Sequence, residues 1–145
     1  MPDLVNMGIL QPVVALAAWT MVMWLWMYAT RIPAMVKAKV DADRMVRDPE
    51  MTLDKLLPPE VSWKAHNYNH LHEAPTVFYA IAILLAIVGQ GDGINETLGW
   101  AYLALRVIHS LVQVTTNKVL VRFGVFVLSS LVLIALIVHA AMAVF

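Results

Sequence analysis

The 145-residue sequence contains no cysteine. This absence excludes disulfide bonds, thiolate metal sites and a cysteine nucleophile, so any thiol chemistry here needs a small molecule to supply the sulfur. Charge is also scarce, because Asp, Glu, Lys and Arg make up only 14 % of the residues and cancel to a formal net charge of zero. A chain without basic excess has no bulk attraction for nucleic acid, and none is expected as a partner.

Apolar side chains fill most of the sequence instead. Hydrophobic residues make up 61 % of the chain and the mean hydropathy is +0.72, well above a typical soluble domain. The first and last of four apolar segments are long enough to cross the roughly 30 Å hydrocarbon core, and the middle two need their polar flanks as well. We predict a single-domain, all-α integral membrane protein. Its four transmembrane helices are expected at about residues 9–30, 59–89, 95–117 and 120–145, with a cytoplasmic loop at about 31–58.

The basic residues predict how the chain is oriented. Seven of the ten Lys and Arg residues lie between the first two apolar segments, and Lys118 and Arg122 lie between the last two. Basic loops are retained in the cytoplasm, so both termini of this multi-pass protein are expected on the non-cytoplasmic side.

The second predicted span begins with a polar cluster. His66, His70 and Glu73 have the spacing i, i+4, i+7, so they share one face of a continuous helix that Pro75 would bend, and Asn69 flanks that face. Polar clusters beside an apolar segment usually line a site or face partner helices.

A second polar stripe lies inside the third span, at Arg106, His109 and Gln113. An unpaired Arg in a membrane costs about 2.5–3.5 kcal/mol even on insertion scales, so Glu73 and Arg106 are predicted to pair in the protein interior. Asn95 is a plausible N-cap of the third helix. His139, alone in the fourth span, is expected to be a packed or interface residue.

Two blocks carry a family resemblance: NYNHLHEAPTVFY at 67–79 and ALRVIHSLVQVTTNKVLVRFGVF at 104–126. At these residues the chain resembles the MAPEG family, the membrane-associated proteins of eicosanoid and glutathione metabolism. It looks like a bacterial-type member similar to microsomal glutathione transferases and prostaglandin E synthase. The resemblance covers nearly the whole chain. It implies a homotrimer that binds glutathione, as cosubstrate, between adjacent subunits near the cytoplasmic side.

The resemblance also implies roles for single residues. Arg122, sixteen residues after Arg106, matches the Arg that points at the glutathione thiol and stabilises the thiolate. The residues implied to bind glutathione are Arg31, His66, Asn69, His70, Glu73, Arg106, His109 and Gln113. The implied activity is that of a glutathione transferase or peroxidase acting on a lipophilic electrophile that enters from the membrane lipids.

Two alternatives stay open. The family pattern Arg-x-x-x-Asn-x-x-Glu on helix two is replaced here by His66, His70 and Glu73, which favours a non-catalytic membrane protein with the same fold. A metal enzyme is the other, because histidines at i and i+4 can bind one ion, and His72 and Glu73 are adjacent.

Overall fold

The computed structural model describes residues 7–145, and every regular element in that range is a helix. The helices are α1 (Leu10–Lys37), α2 (Ala42–Arg47), α3 (Leu53–Leu56), α4 (Pro59–His70), α5 (Ala74–Ile87), α6 (Ile94–Thr115) and α7 (Val119–Val144). α1 continues seven residues past the predicted limit of 30. α2 and α3 are short helices within the predicted loop.

The long helices form an up-and-down bundle. α1 packs against α4, α5 and α6, while α7 packs against α5 and α6. We call the end of the bundle beside residues 38–58 the loop end, and the end beside residues 88–93 the turn end. At the turn end, the backbone N–H of Ile9 donates to the carbonyl of Gly91 at 2.8 Å, which ties the start of α1 to the turn before α6.

Three stretches of the described chain are long and apolar enough to cross a membrane. They are Leu10–Lys37, Pro59–Ile87, which contains α4 and α5, and Val119–Val144. α6 is amphipathic and carries its polar side chains inward, where Arg106, His109, Ser110 and Gln113 are all buried. A sequence-only average of hydropathy therefore ranks α6 below the other three.

Helix two is interrupted rather than bent. α4 starts at Pro59, as the Pro58-Pro59 pair predicts, but it ends at His70, and α5 begins at Ala74. Pro75 cannot donate to the carbonyl of Leu71 and disfavours helical backbone at the residue before it. The backbone N–H groups of His72 and Glu73 instead make tight bonds to the carbonyls of Asn69 and His70. Glu73 therefore does not continue the face shared by His66 and His70.

The first residues of α6 also differ from the prediction. Gly93, with φ of +63°, precedes the helix, and no side chain caps it. The predicted cap, Asn95, lies inside the helix and is buried, with its amide nitrogen donating to the carbonyl of Gln90 at 2.8 Å. The capping prediction was wrong because Gly93, with its positive φ, makes the turn two residues before Asn95.

Candidate functional site

The centre of the candidate site is a buried guanidinium. Arg106, on the inward face of α6, is 1 % exposed. Its Nη2 donates to Nδ1 of His70 at 2.6 Å and lies 3.5 Å from the carbonyl oxygen of the same residue. The same carbonyl also accepts from the backbone N–H of Glu73 at 3.2 Å, in the turn that follows the end of α4. The break that Pro75 imposes thus creates part of the Arg106 environment.

Two imidazole rings stack beside this contact. The rings of His70 and His109 are nearly parallel, at 17°, with centroids 4.7 Å apart, and Phe126 of α7 meets His70 edge-on at 5.9 Å. A cavity of about 180 Å³ opens here between α4, α6 and α7. We call it the crevice, and its lining consists of His70, His109, Val119, Arg122, Phe123 and Phe126.

Arg122 brings a second guanidinium to the crevice. It lies half-buried in the first turn of α7, and its Nη1 donates to Oδ1 of Asn117 at 2.5 Å. Asn117 adopts a left-handed backbone with φ of +48°, which turns the chain between α6 and α7. Asn and Asp tolerate this conformation better than most residues. The same residue therefore makes the turn and orients Arg122.

The predicted ion pair between Glu73 and Arg106 is not formed. Within residues 7–145, no carboxylate lies within 4.0 Å of Arg106, and the Glu73 side chain is 68 % exposed. Its Oε2 lies 3.9 Å from Nε2 of His70, which is too long for a hydrogen bond. The prediction assumed a continuous helix, whereas the break at 71–73 turns Glu73 outward.

The structure brings four of the predicted residues together and leaves four apart. His70, His109 and Arg122 line the crevice, and Arg106 is bonded to His70 behind this lining, while the exposed side chain of Glu73 lies 3.9 Å from His70 outside it. Arg31 is half-buried on α1, Asn69 is exposed, and Gln113 is buried on α6, but none of them lines the crevice.

His66, the fourth of the residues left apart, contacts the loop. Its Nε2 lies 2.9 Å from Oδ2 of Asp54. This hydrogen bond, together with the nearby Arg31, lowers the pKa of the Asp54 carboxyl below its ordinary value, against the opposing effect of desolvation. Two of the predicted glutathione-binding residues thus already have an acidic neighbour in this chain.

Several buried polar groups lack a hydrogen-bond partner in the described chain. Asn67, which the sequence alone does not single out, is completely buried, and neither of its amide atoms is bonded. The same holds for Nε and Nη1 of Arg106, Oγ of Ser110 and Oε1 of Gln113. Buried polar groups are nearly always satisfied by protein or by ordered water, so this interior is suited to bound water or polar ligand atoms. Asn67 lies three residues before His70, so a helical wheel places both on one face and could have indicated that Asn67 points inward.

The histidines do not assemble a metal site. No three His, Cys, Asp or Glu side chains within residues 7–145 are grouped closely enough to hold one ion. His66 contacts Asp54, His70 contacts Arg106, and Nδ1 of His72 lies 2.8 Å from the carbonyl of Tyr68. These three histidines therefore contact different partners.

Comparison with known proteins gives one finding. The sequence model of the MAPEG family matches residues 9–142, which is nearly the whole chain. Neither the curated proteins nor the solved structures contain a significant match. The match spans all seven helices, up to the last turn of α7.

Proposed function

The chain belongs to the MAPEG family, which includes glutathione-dependent transferases and related proteins, and we propose that it is a glutathione-dependent membrane enzyme. The reaction is either the transfer of glutathione to a lipophilic electrophile or the reduction of a lipophilic peroxide. The observation that carries the proposal is a crevice lined by Arg122 and, within residues 7–145, by no carboxylate, with the buried guanidinium of Arg106 bonded to His70 in its wall.

Arg122 is proposed to stabilise the glutathione thiolate. A thiol has an ordinary pKa of about 8.5, and an adjacent cation favours its charged form. Ionisation breaks the S–H bond, leaves the electron pair on sulfur and releases the proton to water. Arg122 can support this step because it lines the crevice with a cationic side chain that Asn117 orients.

Arg106 is proposed to hold an anionic group of the ligand, directly or through a water molecule. A buried charge without a counter-ion is costly, and two of its nitrogen atoms, Nε and Nη1, have no partner in residues 7–145. Glutathione carries two carboxylates, either of which would compensate this charge. His70 and His109 then form the polar wall between the two guanidinium groups.

The proposal includes a trimer. At about 180 Å³ the crevice is smaller than most small-molecule pockets, which begin near 300 Å³, so one chain supplies only part of a glutathione site. Leu120 and Phe123, exposed on α7 beside Arg122, offer an apolar surface on which a neighbouring subunit can complete it. We further propose that α6 is a fourth span, since 22 residues at about 1.5 Å each are long enough to cross, with the crevice facing the cytoplasm.

The test compares thiol ionisation in wild-type protein and in the Arg122→Leu variant, both in detergent. Thiolate absorbance is measured as a function of pH with glutathione bound. The wild-type protein should lower the thiol pKa by one unit or more, which corresponds to about 1.4 kcal/mol per unit, and Arg122→Leu should lose this shift. Arg44→Leu is the matched control, because it removes an exposed guanidinium from α2 and should change nothing.

Equal thiol pKa values in wild type and Arg122→Leu would remove Arg122 from the mechanism. A wild-type protein that binds no glutathione would favour the second candidate, a non-catalytic member of the family. The observation behind that candidate is that Arg31, His66, Asn69 and Gln113 lie outside the crevice.

A further inference from the structure

We propose that the turn end of the bundle carries a second binding site, which takes the hydroxyl head of an uncharged amphiphile through Nε2 of His139. This site lies at the opposite end of the bundle from the crevice and shares no residue with it. It does not depend on glutathione chemistry.

The site is a cavity of about 320 Å³, which we call the chamber. Its lining consists of Gln90, Ile94, Asn95, His139, Met142 and Ala143. This volume falls at the lower end of the range for small-molecule pockets. Three of the lining residues are polar and three are apolar, so the chamber can contact both parts of an amphiphile. The sequence alone predicts a packed His139 and a capping Asn95, so it does not indicate this site.

Hydrogen-bond chemistry fixes the state of the polar groups. The carbonyl of Gln90 can only accept, so the amide nitrogen of Asn95 faces it, at 2.8 Å. Oδ1 of Asn95 must then face His139, whose Nδ1 lies 2.6 Å away. An amide oxygen only accepts, so Nδ1 of His139 carries the proton. In the neutral ring, Nε2 is therefore a hydrogen-bond acceptor, and it has no partner within residues 7–145.

The chamber selects for an uncharged ligand with a hydrogen-bond donor. Among residues 7–145, no Lys, Arg, Asp or Glu lines it. The acidic groups of this end, Asp92 and Glu96, instead lie against Gly8 at the start of α1, where Asp92 accepts from the Gly8 N–H at 3.2 Å. A hydroxyl can donate to Nε2 of His139, and Ile94 and Met142 provide contacts for an attached hydrocarbon chain.

The source of such a molecule is the membrane. The chamber lies where the apolar helices α5 and α7 end, so a lipid-like molecule can keep its chain in the bilayer while its head reaches His139. A neutral lipid with a free hydroxyl, or a long-chain alcohol, has this chemistry. An anionic phospholipid head does not, because the chamber offers it no cation.

The experiment records the imidazole ¹⁵N signals of the full chain in detergent micelles, labelled at histidine, at a pH where ordinary histidines are neutral. His139 should show the tautomer protonated at Nδ1. Titration with 1-decanol should move its Nε2 signal in a saturable way. The methyl ether of 1-decanol partitions into the same micelles but cannot donate, and it should leave the signal unchanged. His139→Phe should remove the responding signal, and His72→Phe, a histidine at the loop end, should keep it.

Three results would overturn the proposal. A His139 ring protonated at Nε2 would remove the acceptor. Equal responses to the alcohol and its ether, or no response to either, would show that no hydroxyl is bound. A response to glycerol at the same concentration as to decanol would assign the chamber to a water-soluble polyol instead of an amphiphile. The alcohol and ether comparison uses the wild-type protein, so it stands even if His139→Phe fails to fold.

Discussion

His70 and His139 lie at opposite ends of one bundle and are fixed in opposite ways. Each imidazole is held through Nδ1 at 2.6 Å, but His70 accepts there from Arg106, whereas His139 donates there to Asn95. Arg has no acceptor atom, so the neutral His70 ring must carry its proton on Nε2. The free nitrogen of His70 is thus a donor, and that of His139 is an acceptor.

The charged groups near the two histidine rings also differ. His70 has the guanidinium groups of Arg106 and Arg122 close by, while the chamber beside His139 has no charged lining residue among residues 7–145. One end is therefore suited to an anion and the other to a neutral donor. The comparison shows that the residue type alone does not tell which ligand an imidazole in a membrane helix can bind, since the partner of Nδ1 decides it.

The largest expected effect comes from removing the cation that fixes His70. Arg106→Met should weaken glutathione binding roughly 10- to 100-fold, because a hydrogen bond to a charged group contributes about 1.5–3 kcal/mol. Calorimetric titration in detergent measures the change. Arg47→Met, at an exposed Arg of α2, is the matched control and should bind as the wild type does.

The same substitution separates binding from folding. A buried charge without an anion is costly, so replacing it by an apolar side chain of similar length should leave the thermal unfolding midpoint unchanged or raise it. If Arg106→Met unfolds the protein, the guanidinium is a structural element of α6. If it folds and still binds glutathione fully, the anion-binding role of the crevice is wrong.

A smaller effect, on stability, is expected from Asn95→Ala at the turn end. This change removes the partners of Nδ1–H of the half-buried His139 and of the carbonyl of the exposed Gln90. Water can replace part of both bonds, so each should contribute only the net value of a hydrogen bond, about 0.5–1.5 kcal/mol. The unfolding midpoint should fall, and the His139 ring should lose its fixed tautomer. Asn69→Ala is the control. Asn69 is exposed, so its replacement should change the free energy of unfolding by less than about 0.5 kcal/mol.

An unchanged midpoint together with an unchanged His139 tautomer in Asn95→Ala would show that Asn95 does not control the ring. Asn95→Asp sharpens the test. Its carboxylate can still accept from His139 but cannot donate to Gln90, so it should preserve the tautomer and lose part of the stability.

Much of the fold follows from the sequence because its causes are local. The apolar runs indicate membrane-spanning helices, and Pro58-Pro59 marks where α4 begins. The inward direction of Arg106 and His109 also follows, since helical spacing puts them on one face and the cost of a charge in lipid turns that face inward.

The site was less predictable because its contacts depend on backbone outside any regular pattern. The position of Pro75 indicates a disturbance of helix two, but only the folded chain shows that it ends α4 at His70 and turns Glu73 outward. The contact between His139 and Asn95 joins residues 44 positions apart, on two helices, and no periodicity within either helix reveals it.

The smallest effect is expected at the loop end, where His66 and His70 lie four residues apart on α4 but contact unrelated partners. Asp54→Asn removes the carboxylate from His66 and should destabilise the protein only slightly. Both side chains are about half exposed, and exposed ion pairs contribute at most about 1 kcal/mol.

The contribution of Asp54 should depend on pH. Because folding lowers the pKa of Asp54, its ionised form stabilises the fold at pH values above its ordinary pKa of 3.8, and this contribution is lost as the pH falls through the lowered pKa. The unfolding midpoints of wild type and Asp54→Asn should therefore differ near neutral pH and converge in strong acid, with Asp43→Asn in α2 as the control. A difference that persists in acid would mean that the Asp54 contact acts through packing. If Asp54→Asn also abolished glutathione binding, the loop around α3 would belong to the site at the loop end.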